Sequence, residues 1–155
     1  MALFNETIKG LQDFNDNIKQ FIGKEIITNK RDLIAINIAN IYSEGKGSEG
    51  QKLERNDKSY SIYSPGYTKF KKKLGLYQGH VDFHLTGGLL ESIDVVLEDN
   101  TVVFTAQKIN GSWDIISLYT EKYGDFLGLT DDEWKDVTET ILVPAINNYY
   151  LKIWQ

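Results

Sequence analysis

The sequence lacks cysteine and is poor in histidine and proline, with two of each among 155 residues. The absence of cysteine excludes disulfide bonds, thiolate zinc sites, covalent haem attachment and a cysteine nucleophile. No apolar run approaches the roughly 18 residues that cross a bilayer, so the sequence predicts no membrane span. Stability must therefore come from the burial of apolar surface.

The composition is that of one globular domain. Hydrophobic residues make up 41% of the chain, charged residues 25% and aromatic residues 12%, which argues against a disordered chain. The length favours a single domain over residues 1–155. The net charge of −5 disfavours a protein that coats nucleic acid indiscriminately.

The N-terminal third of the chain predicts two helices. A first apolar stripe at helical spacing comprises Phe4, Ile8, Leu11, Ile18 and Ile22, and Gly23-Lys24 is expected to interrupt it. A second stripe comprises Ile27, Ile34, Ile38 and Ile41. Because Ile34, Ile36 and Ile38 also alternate, a strand is the competing interpretation, although the length of the segment favours a helix.

Residues 44–59 are predicted to form a mobile polar loop. They hold one large apolar side chain, Leu53, and three glycines, so little of the segment is expected to be buried. Gly45, Gly47 and Gly50 fit a dinucleotide-binding pattern by letter, but the strand before it and the apolar helix after it are missing. A loop of this length in a small domain is uncommon unless it binds a partner.

The central part of the chain predicts short elements around a hairpin. An extended aromatic stretch ends at Pro65-Gly66, and a Lys-rich helix at 68–74 is expected to stop at Gly75. Alternation predicts a strand at 81–85 with one buried face. Two β-rich runs, 94–98 and 101–105, surround the turn dipeptide Asp99-Asn100 and predict a β-hairpin.

Two helices are expected in the C-terminal part of the chain. The first covers 114–123 and ends at Gly124. Thr130 and Glu133 fit a capping box that opens the last helix, and Pro144 should kink that helix. Its apolar stripe comprises Trp134, Val137, Ile141, Ala145 and Tyr149. The sequence thus predicts an α+β fold, with N-terminal helices and a long C-terminal helix packed on a small antiparallel sheet that contains the hairpin.

One arrangement of residues could bind a metal ion. His80, Asp82 and His84 alternate along the predicted strand, and alternate residues share a face. Imidazole and carboxylate suit zinc or iron, so a metal-dependent enzyme is one hypothesis. Adjacent ligands on a straight strand splay apart, however, and the solvent-exposed face of a half-buried strand is the favoured interpretation.

Basic and acidic residues are segregated along the chain. Residues 44–73 contain eight Lys and Arg against four Asp and Glu, a net charge of +4, which leaves −9 on the remainder. Lys69, Lys71, Lys72 and Lys73 lie close to Tyr67, Phe70 and Tyr77. A solvated basic face is one interpretation, an electrostatic contact with an acidic surface of another subunit is a second, and single-stranded nucleic-acid binding is a third.

Four motifs between about residue 60 and residue 145 carry a resemblance to a known family. They are Tyr63-Ser64-Pro65-Gly66-Tyr67 with Lys69, then Leu85-Thr86-Gly87 with Leu89, Ser92 and Ile93, then Tyr119 to Gly124, and then Phe126-Leu127-Gly128-Leu129, which precedes the terminal helix. Their order, with a helical start, a glycine-rich loop and a hairpin, resembles the phage virion-morphogenesis family. This family comprises tail-completion, head-tail joining and minor tail proteins of Mu-like and related phages.

The resemblance implies a structural protein of the virion that has no catalytic residues and no cofactor. Its partners would be copies of itself in a ring near the portal–tail junction and the portal, connector or tail proteins, with incidental contact to packaged DNA. It would be made in the host cytoplasm. The candidate interface residues are Lys69, Lys71, Lys72, Lys73, Tyr67, Asp131, Asp132, Asp136, Tyr149, Tyr150 and Trp154. The basic region 44–73 is expected to meet the acidic region 121–139 of a neighbour.

Overall fold

The computed structural model describes residues 2–56, 60, 62–107 and 114–153. In chain order, its elements are α1 (Ala2–Thr28), α2 (Lys30–Ala39), a π-helical turn (Asn40–Glu44), α3 (Pro65–Lys73), α4 (Gly88–Glu91), β1 (Ile93–Glu98), β2 (Thr101–Ala106), α5 (Ile115–Tyr123), α6 (Asp131–Val137), a second π-helical turn (Thr138–Leu142) and α7 (Val143–Ile153). The predicted α+β class, with a hairpin and a long C-terminal helical segment, is confirmed.

The predicted hairpin forms at the predicted place. Strands β1 and β2 are antiparallel, with Ile93 opposite Ala106 at one end and Glu98 opposite Thr101 at the other. The turn residues Asp99 and Asn100 have φ angles of 46° and 63°. Asp and Asn tolerate this left-handed region better than other side chains, and two such residues in a row suit the right-handed twist of a hairpin.

Helix α1 does not end where the sequence predicts. It continues through Gly23 to Thr28 over 27 residues, about 40 Å of helix. Gly23 is buried, and a Cβ atom there would lie 2.8 Å from Cδ2 of Leu97 on β1. The glycine therefore lets the helix approach the hairpin closely, and it does not terminate the helix. No helix within the described ranges is long and apolar enough to cross a membrane.

The second predicted helix is confirmed as α2, and the alternative strand is wrong. The core divides into two adjoining clusters around α2 and β1. The first cluster comprises Ile41, Leu53, Tyr63, Val81, Leu89, Leu90, Ile93, Ala106, Tyr123 and Phe126. The second comprises Ile26, Leu33, Val95, Leu129, Val137 and Leu142. Along β1, Ile93 belongs to the first cluster and Val95 to the second, so the hairpin joins the two.

The strand predicted at 81–85 is absent, although the segment lies within the described part of the chain. Val81 and Asp82 are both completely buried, so successive residues do not face opposite sides as they would in a strand. The next residue, Phe83, has a φ of 47°, which breaks the extended backbone. The backbone N–H groups of Asp82 and Phe83 donate to the Tyr63 hydroxyl at 2.9 and 3.2 Å. A side chain thus satisfies donors that a neighbouring strand would otherwise have paired.

The boundaries of the later helices also differ from the prediction. Helix α3 begins at Pro65, three residues early, because Ser64 caps it by accepting from the Tyr67 N–H at 3.3 Å. Proline suits this first position, since the missing N–H would have no partner inside the helix. The predicted capping box is confirmed. The helix that begins at this capping box contains a π-helical turn directly before Val143 and Pro144. Pro144 has no backbone N–H and cannot donate a helical hydrogen bond.

Asn37 connects α2 to the segment before α6. Its side chain is completely buried, and Nδ2 donates to the carbonyl oxygens of Phe126 and Gly128, at 2.8 Å in each case. One amide group therefore satisfies two carbonyls of an irregular segment that has no strand beside it. Buried carbonyls without a partner are costly, so this asparagine should be a main determinant of where the segment lies.

We expect Asn37→Ala to lower the free energy of unfolding by about 2–4 kcal/mol, because the buried carbonyl of Phe126 and the half-buried carbonyl of Gly128 lose their donor. The matched control is Asn17→Ala, which removes an exposed bond from Asn17 Nδ2 to the Asp13 carbonyl within α1 and should cost less than about 0.5 kcal/mol. Urea unfolding followed by circular dichroism measures both. Equal losses for the two variants would contradict the proposed connection.

Candidate functional site

Helix α3 presents a face that is both basic and apolar. Lys69, Lys72 and Lys73 are exposed, as predicted. Phe70 and Leu74 are 46% and 49% exposed. Residues four apart lie on the same face of a helix, so these two side chains form one apolar pair, with Lys69 and Lys73 beside it. Lys72 lies on another side of the helix, 4.9 Å from the Tyr77 ring centroid. Large apolar side chains that are grouped and exposed in this way are typical of recognition surfaces.

Lys71 is not part of this face, so its prediction as a surface cation is wrong. Its side chain is completely buried, and Nζ forms an ion pair with Oδ1 of Asp82. It also lies 4.8 Å from the centroid of the Tyr63 ring. Lys71 follows Tyr67 by four residues and shares the inward face of α3 with it. The lysine therefore anchors the helix to the core.

Asp82 stands at the centre of a buried polar network. Besides Lys71, Oδ1 accepts from the Tyr63 hydroxyl at 2.8 Å and from the His84 N–H at 3.0 Å. Oδ2 is buried without a hydrogen-bond partner in the described part of the chain. Burial raises the pKa of Tyr63 above its usual range, so its hydroxyl remains a donor to the carboxylate. The network joins α3 to residues 80–84, which have no regular secondary structure.

The two histidines do not form a metal site with Asp82. His80 Nε2 bonds the Tyr42 carbonyl at 2.9 Å, which requires a proton on this nitrogen because a carbonyl only accepts. The His84 ring lies edge-on to Tyr42, with 5.2 Å between centroids. Asp82 is engaged by Lys71. Among the described residues, no three His, Asp or Glu side chains are grouped to hold a metal, so the geometry gives the metal-enzyme hypothesis no support.

The acidic candidates lie on the first turns of α6. Asp131, Asp132 and Asp136 are exposed. Glu133 is instead engaged within the protein, because its Oε2 accepts from the Thr130 N–H at 2.8 Å and from Asn40 Nδ2 at 3.0 Å. Asp131 and Asp132 lie in the first turn of α6, where the helix dipole favours negative charge, and Asp136 lies one turn after Asp132. We call these three exposed aspartates the acidic face of α6.

Part of the contact expected between neighbours occurs inside one chain. The Ser48 N–H and Gln51 Nε2 donate to the Asp125 carbonyl at 3.1 and 2.8 Å, and the Asn56 N–H donates to the Lys122 carbonyl at 2.9 Å. The basic loop therefore packs on the acidic segment of its own chain. The mobility of the 44–59 loop stays a prediction, but the expectation that little of it is buried is wrong for Leu53, which is 2% exposed.

Two details show how this loop is held. A Cβ atom on Gly47 would overlap the Asp125 carbonyl oxygen, so only glycine permits this approach. Lys46 forms an ion pair with Glu44, and that hydrogen bond and charge raise the pKa of Lys46. The charge of Lys46 is thus compensated within the chain. The exposed lysines on α3 are Lys69, Lys72 and Lys73, and Lys52 of the loop is exposed as well.

The family-motif residues lie mainly in the core. Leu89, Ile93, Phe126 and Leu129 are buried, whereas Leu85 and Thr86 are exposed and Leu127 is half-buried. Gly87 and Gly128 have φ angles of 86° and 146°. Ser92 Oγ donates to the Leu89 carbonyl at 2.8 Å and accepts from the Gln107 N–H at 3.2 Å. In this chain the motifs therefore act mainly in packing.

The aromatic candidates at the C-terminal end pack partly against α1. Tyr149 lies 5.6 Å from Phe14 and 4.7 Å from Phe21, measured between ring centroids. Tyr150 contacts Phe14 at 6.0 Å and is 38% exposed. Trp154 lies outside the described residues. Tyr149 thus contributes to the contact between α1 and α7, and Tyr150 lies at its edge.

The chain matches no protein-family model, and no curated protein or solved structure matches it. The resemblance to the virion-morphogenesis family is therefore a prediction based on the motifs alone. The candidate site itself is defined by geometry. It consists of the basic, apolar face of α3, the acidic face of α6, and the Lys71–Asp82 pair that fixes α3.

We expect Lys71→Met to lower the free energy of unfolding by about 3–5 kcal/mol, because it leaves a carboxylate buried without its cation. Lys71→Met combined with Asp82→Asn should recover more than half of that loss, since asparagine keeps an acceptor for Tyr63 and His84. Urea unfolding measures both. A double variant no more stable than Lys71→Met would show that the buried charge is not the cause.

Proposed function

We propose that the protein is a structural, non-catalytic subunit that assembles head-to-tail with copies of itself. In this assembly the α3 face of one copy contacts the acidic α6 face of the next. Such a contact is heterologous, and it closes a ring when the rotation between copies divides a full turn. Guided by the motif resemblance, we propose that this ring lies in a virion near the portal–tail junction, with portal, connector or tail proteins as its neighbours.

The observation that carries the proposal is the exposed apolar pair Phe70 and Leu74 on α3, with the exposed lysines Lys69 and Lys73 beside it. Interfaces commonly combine an apolar centre with a charged rim. The apolar pair supplies surface that binding would remove from water, and the lysines supply charge that can set the orientation of the partner. Asp131, Asp132 and Asp136 offer the complementary charge on the same molecule.

The way α3 is attached also supports a role in recognition. Lys71 is the residue of α3 that is buried, and its ion pair with Asp82 fixes how the helix is rotated. A fixed rotation keeps Phe70 and Leu74 outward. Because the surface exists before binding, little conformational entropy is lost when a partner docks.

We expect the purified protein to form assemblies that grow with concentration and dissociate as salt rises from about 0.05 M to about 0.5 M, since exposed charges are screened. Lys69→Glu, Lys72→Glu and Lys73→Glu together should abolish assembly. Sedimentation velocity measures the mass. The matched control is Lys9→Glu, Lys19→Glu and Lys24→Glu, the same change in net charge on exposed positions of α1, which should leave assembly intact.

A charge-swapped partner sharpens this test. Asp131→Lys, Asp132→Lys and Asp136→Lys together should also prevent assembly, but mixing this variant with the reversed α3 variant should restore it. In the mixture, every α3–α6 contact joins opposite charges. Circular dichroism confirms that each variant folds. A protein that is monomeric at every concentration and salt, or a mixture that does not assemble, would refute the proposal.

A further inference from the structure

A second surface feature lies beside the buried network and plays no part in the α3–α6 contact. It is a cleft of about 350 Å³ between α5, the start of α3 and residue 83. Three of its walls are the tyrosines Tyr67, Tyr119 and Tyr123, and Phe83 forms a fourth. Arg55 and Lys122 also line it. We call this feature the tyrosine cleft.

Two cationic residues, Arg55 and Lys122, line the cleft, although the whole chain carries a net negative charge. Neither Asp nor Glu is among the described residues that line it. The Lys122 ammonium lies 5.8 Å from the Tyr123 ring centroid, and the charge of Arg55 lowers the pKa of Tyr123, partly offsetting the effect of burial. The nearest buried carboxylate, Asp82, is paired with Lys71 behind Tyr63. An anion entering the cleft would therefore meet positive potential.

The tyrosine hydroxyls supply donors in the same place. Burial raises the pKa of Tyr67, of Tyr119 and of Tyr123, so all three hydroxyls carry their protons at neutral pH. Within the part of the chain that the structure describes, no protein group bonds the hydroxyls of Tyr67 or Tyr119. Neutral phenols beside an ammonium group form a donor set that complements an oxyanion.

The wall at Phe83 has an uncommon backbone conformation. Its φ of 47° lies in the left-handed region, which is unfavourable for a residue with a side chain. The ring stacks on Tyr119 at 4.8 Å with an interplanar angle of 16° and lies edge-on to Tyr123 at 5.3 Å. Backbone strain of this kind clusters at ligand-binding sites, and here it positions an apolar wall beside the donors.

From this geometry we infer that the tyrosine cleft is a binding site for a carboxylate carried by an acidic, partly apolar segment of a protein partner. Lys122 and the hydroxyls of Tyr67 and Tyr119 bind the carboxylate, and Phe83 packs against the apolar neighbour. Arg55 adds positive potential. The volume accommodates about one side chain and part of a second, which fits a short peptide segment.

A nucleotide is the competing ligand, because single-stranded nucleic acid also uses rings and cations. Base stacking needs an open ring face, however. One face of Tyr119 is covered by Phe83, and Tyr123 is only 7% exposed. The arrangement thus favours hydrogen bonding to a carboxylate over stacking with a base.

The test uses the full chain and two matched peptides, N-acetyl-Phe-Glu-Phe-amide and N-acetyl-Phe-Gln-Phe-amide. Amide chemical shifts recorded by NMR should change for residues 63–64, 66–67, 83–85 and 118–123 when the Glu peptide is added. The Gln peptide should bind roughly tenfold more weakly, because it loses the charge-assisted bonds. Lys122→Gln and Tyr119→Phe should each lower the affinity for the Glu peptide by about tenfold and leave the affinity for the Gln peptide nearly unchanged.

Lys19→Gln, at an exposed position of α1, is the control for general charge effects and should bind like the unchanged chain. Equal affinity for the two peptides, or no shift at millimolar peptide, would overturn the inference. Tighter binding of uridine monophosphate than of the Glu peptide would overturn it in favour of a phosphate site. The titration measures peptide binding to the cleft of a single subunit, so a negative result would not contradict the proposed assembly. Conversely, a protein that stays monomeric would contradict the assembly but not the proposed binding site in the cleft.

Discussion

The buried ion pair between Lys71 and Asp82 is the interaction on which the candidate site depends. Removing two charges from water costs several kcal/mol for each ion, and their attraction offsets this cost only when the geometry is good and the remaining polar atoms are bonded. Here Tyr63 and the His84 N–H add donors to the carboxylate. The main effect of the pair is therefore to fix the position of α3 against the irregular segment 80–84, and its net contribution to the stability of the fold is smaller.

The ion pair positions two surfaces of the protein. On the outer side of α3, the rotation set by Lys71 leaves Phe70 and Leu74 exposed among lysines. On the inner side, Tyr63 connects the ion pair to the backbone of Phe83, whose ring forms a wall of the tyrosine cleft. A change in the buried pair should therefore affect both surfaces, while substitutions on either surface need not affect the other.

Local patterns predicted the elements whose stability is local. The Asp99-Asn100 turn, the capping box at Thr130 and Glu133, and the helix that ends at Gly124 all lie where the sequence indicates, because each depends on residues within four positions of one another. The predicted stripes identified the buried faces only in part, because Val137 of α6 is buried as expected, whereas the buried residues of α2 are Leu33 and Asn37 and its predicted Ile34 and Ile38 are half-buried. Predictions failed where a contact with a residue distant in the sequence decided the outcome. Gly23 was expected to interrupt a helix, but it lies against Leu97 inside α1. A strand was expected at 81–85, but the Tyr63 hydroxyl accepts the hydrogen bonds that a neighbouring strand would have accepted.

The sequence by itself determined the class of the fold, the segregation of charge and the exclusion of thiol chemistry, because composition and short-range spacing fix these properties. Only the tertiary structure decided which lysine of four is buried, that the loop after α2 packs on its own acidic segment, and that Arg55, Lys122 and three tyrosines share one cleft. These outcomes depend on contacts between residues up to about ninety positions apart, as from Asn37 to Gly128. The energy of such contacts depends on burial and geometry, which are properties of the packed chain and not of any local pattern.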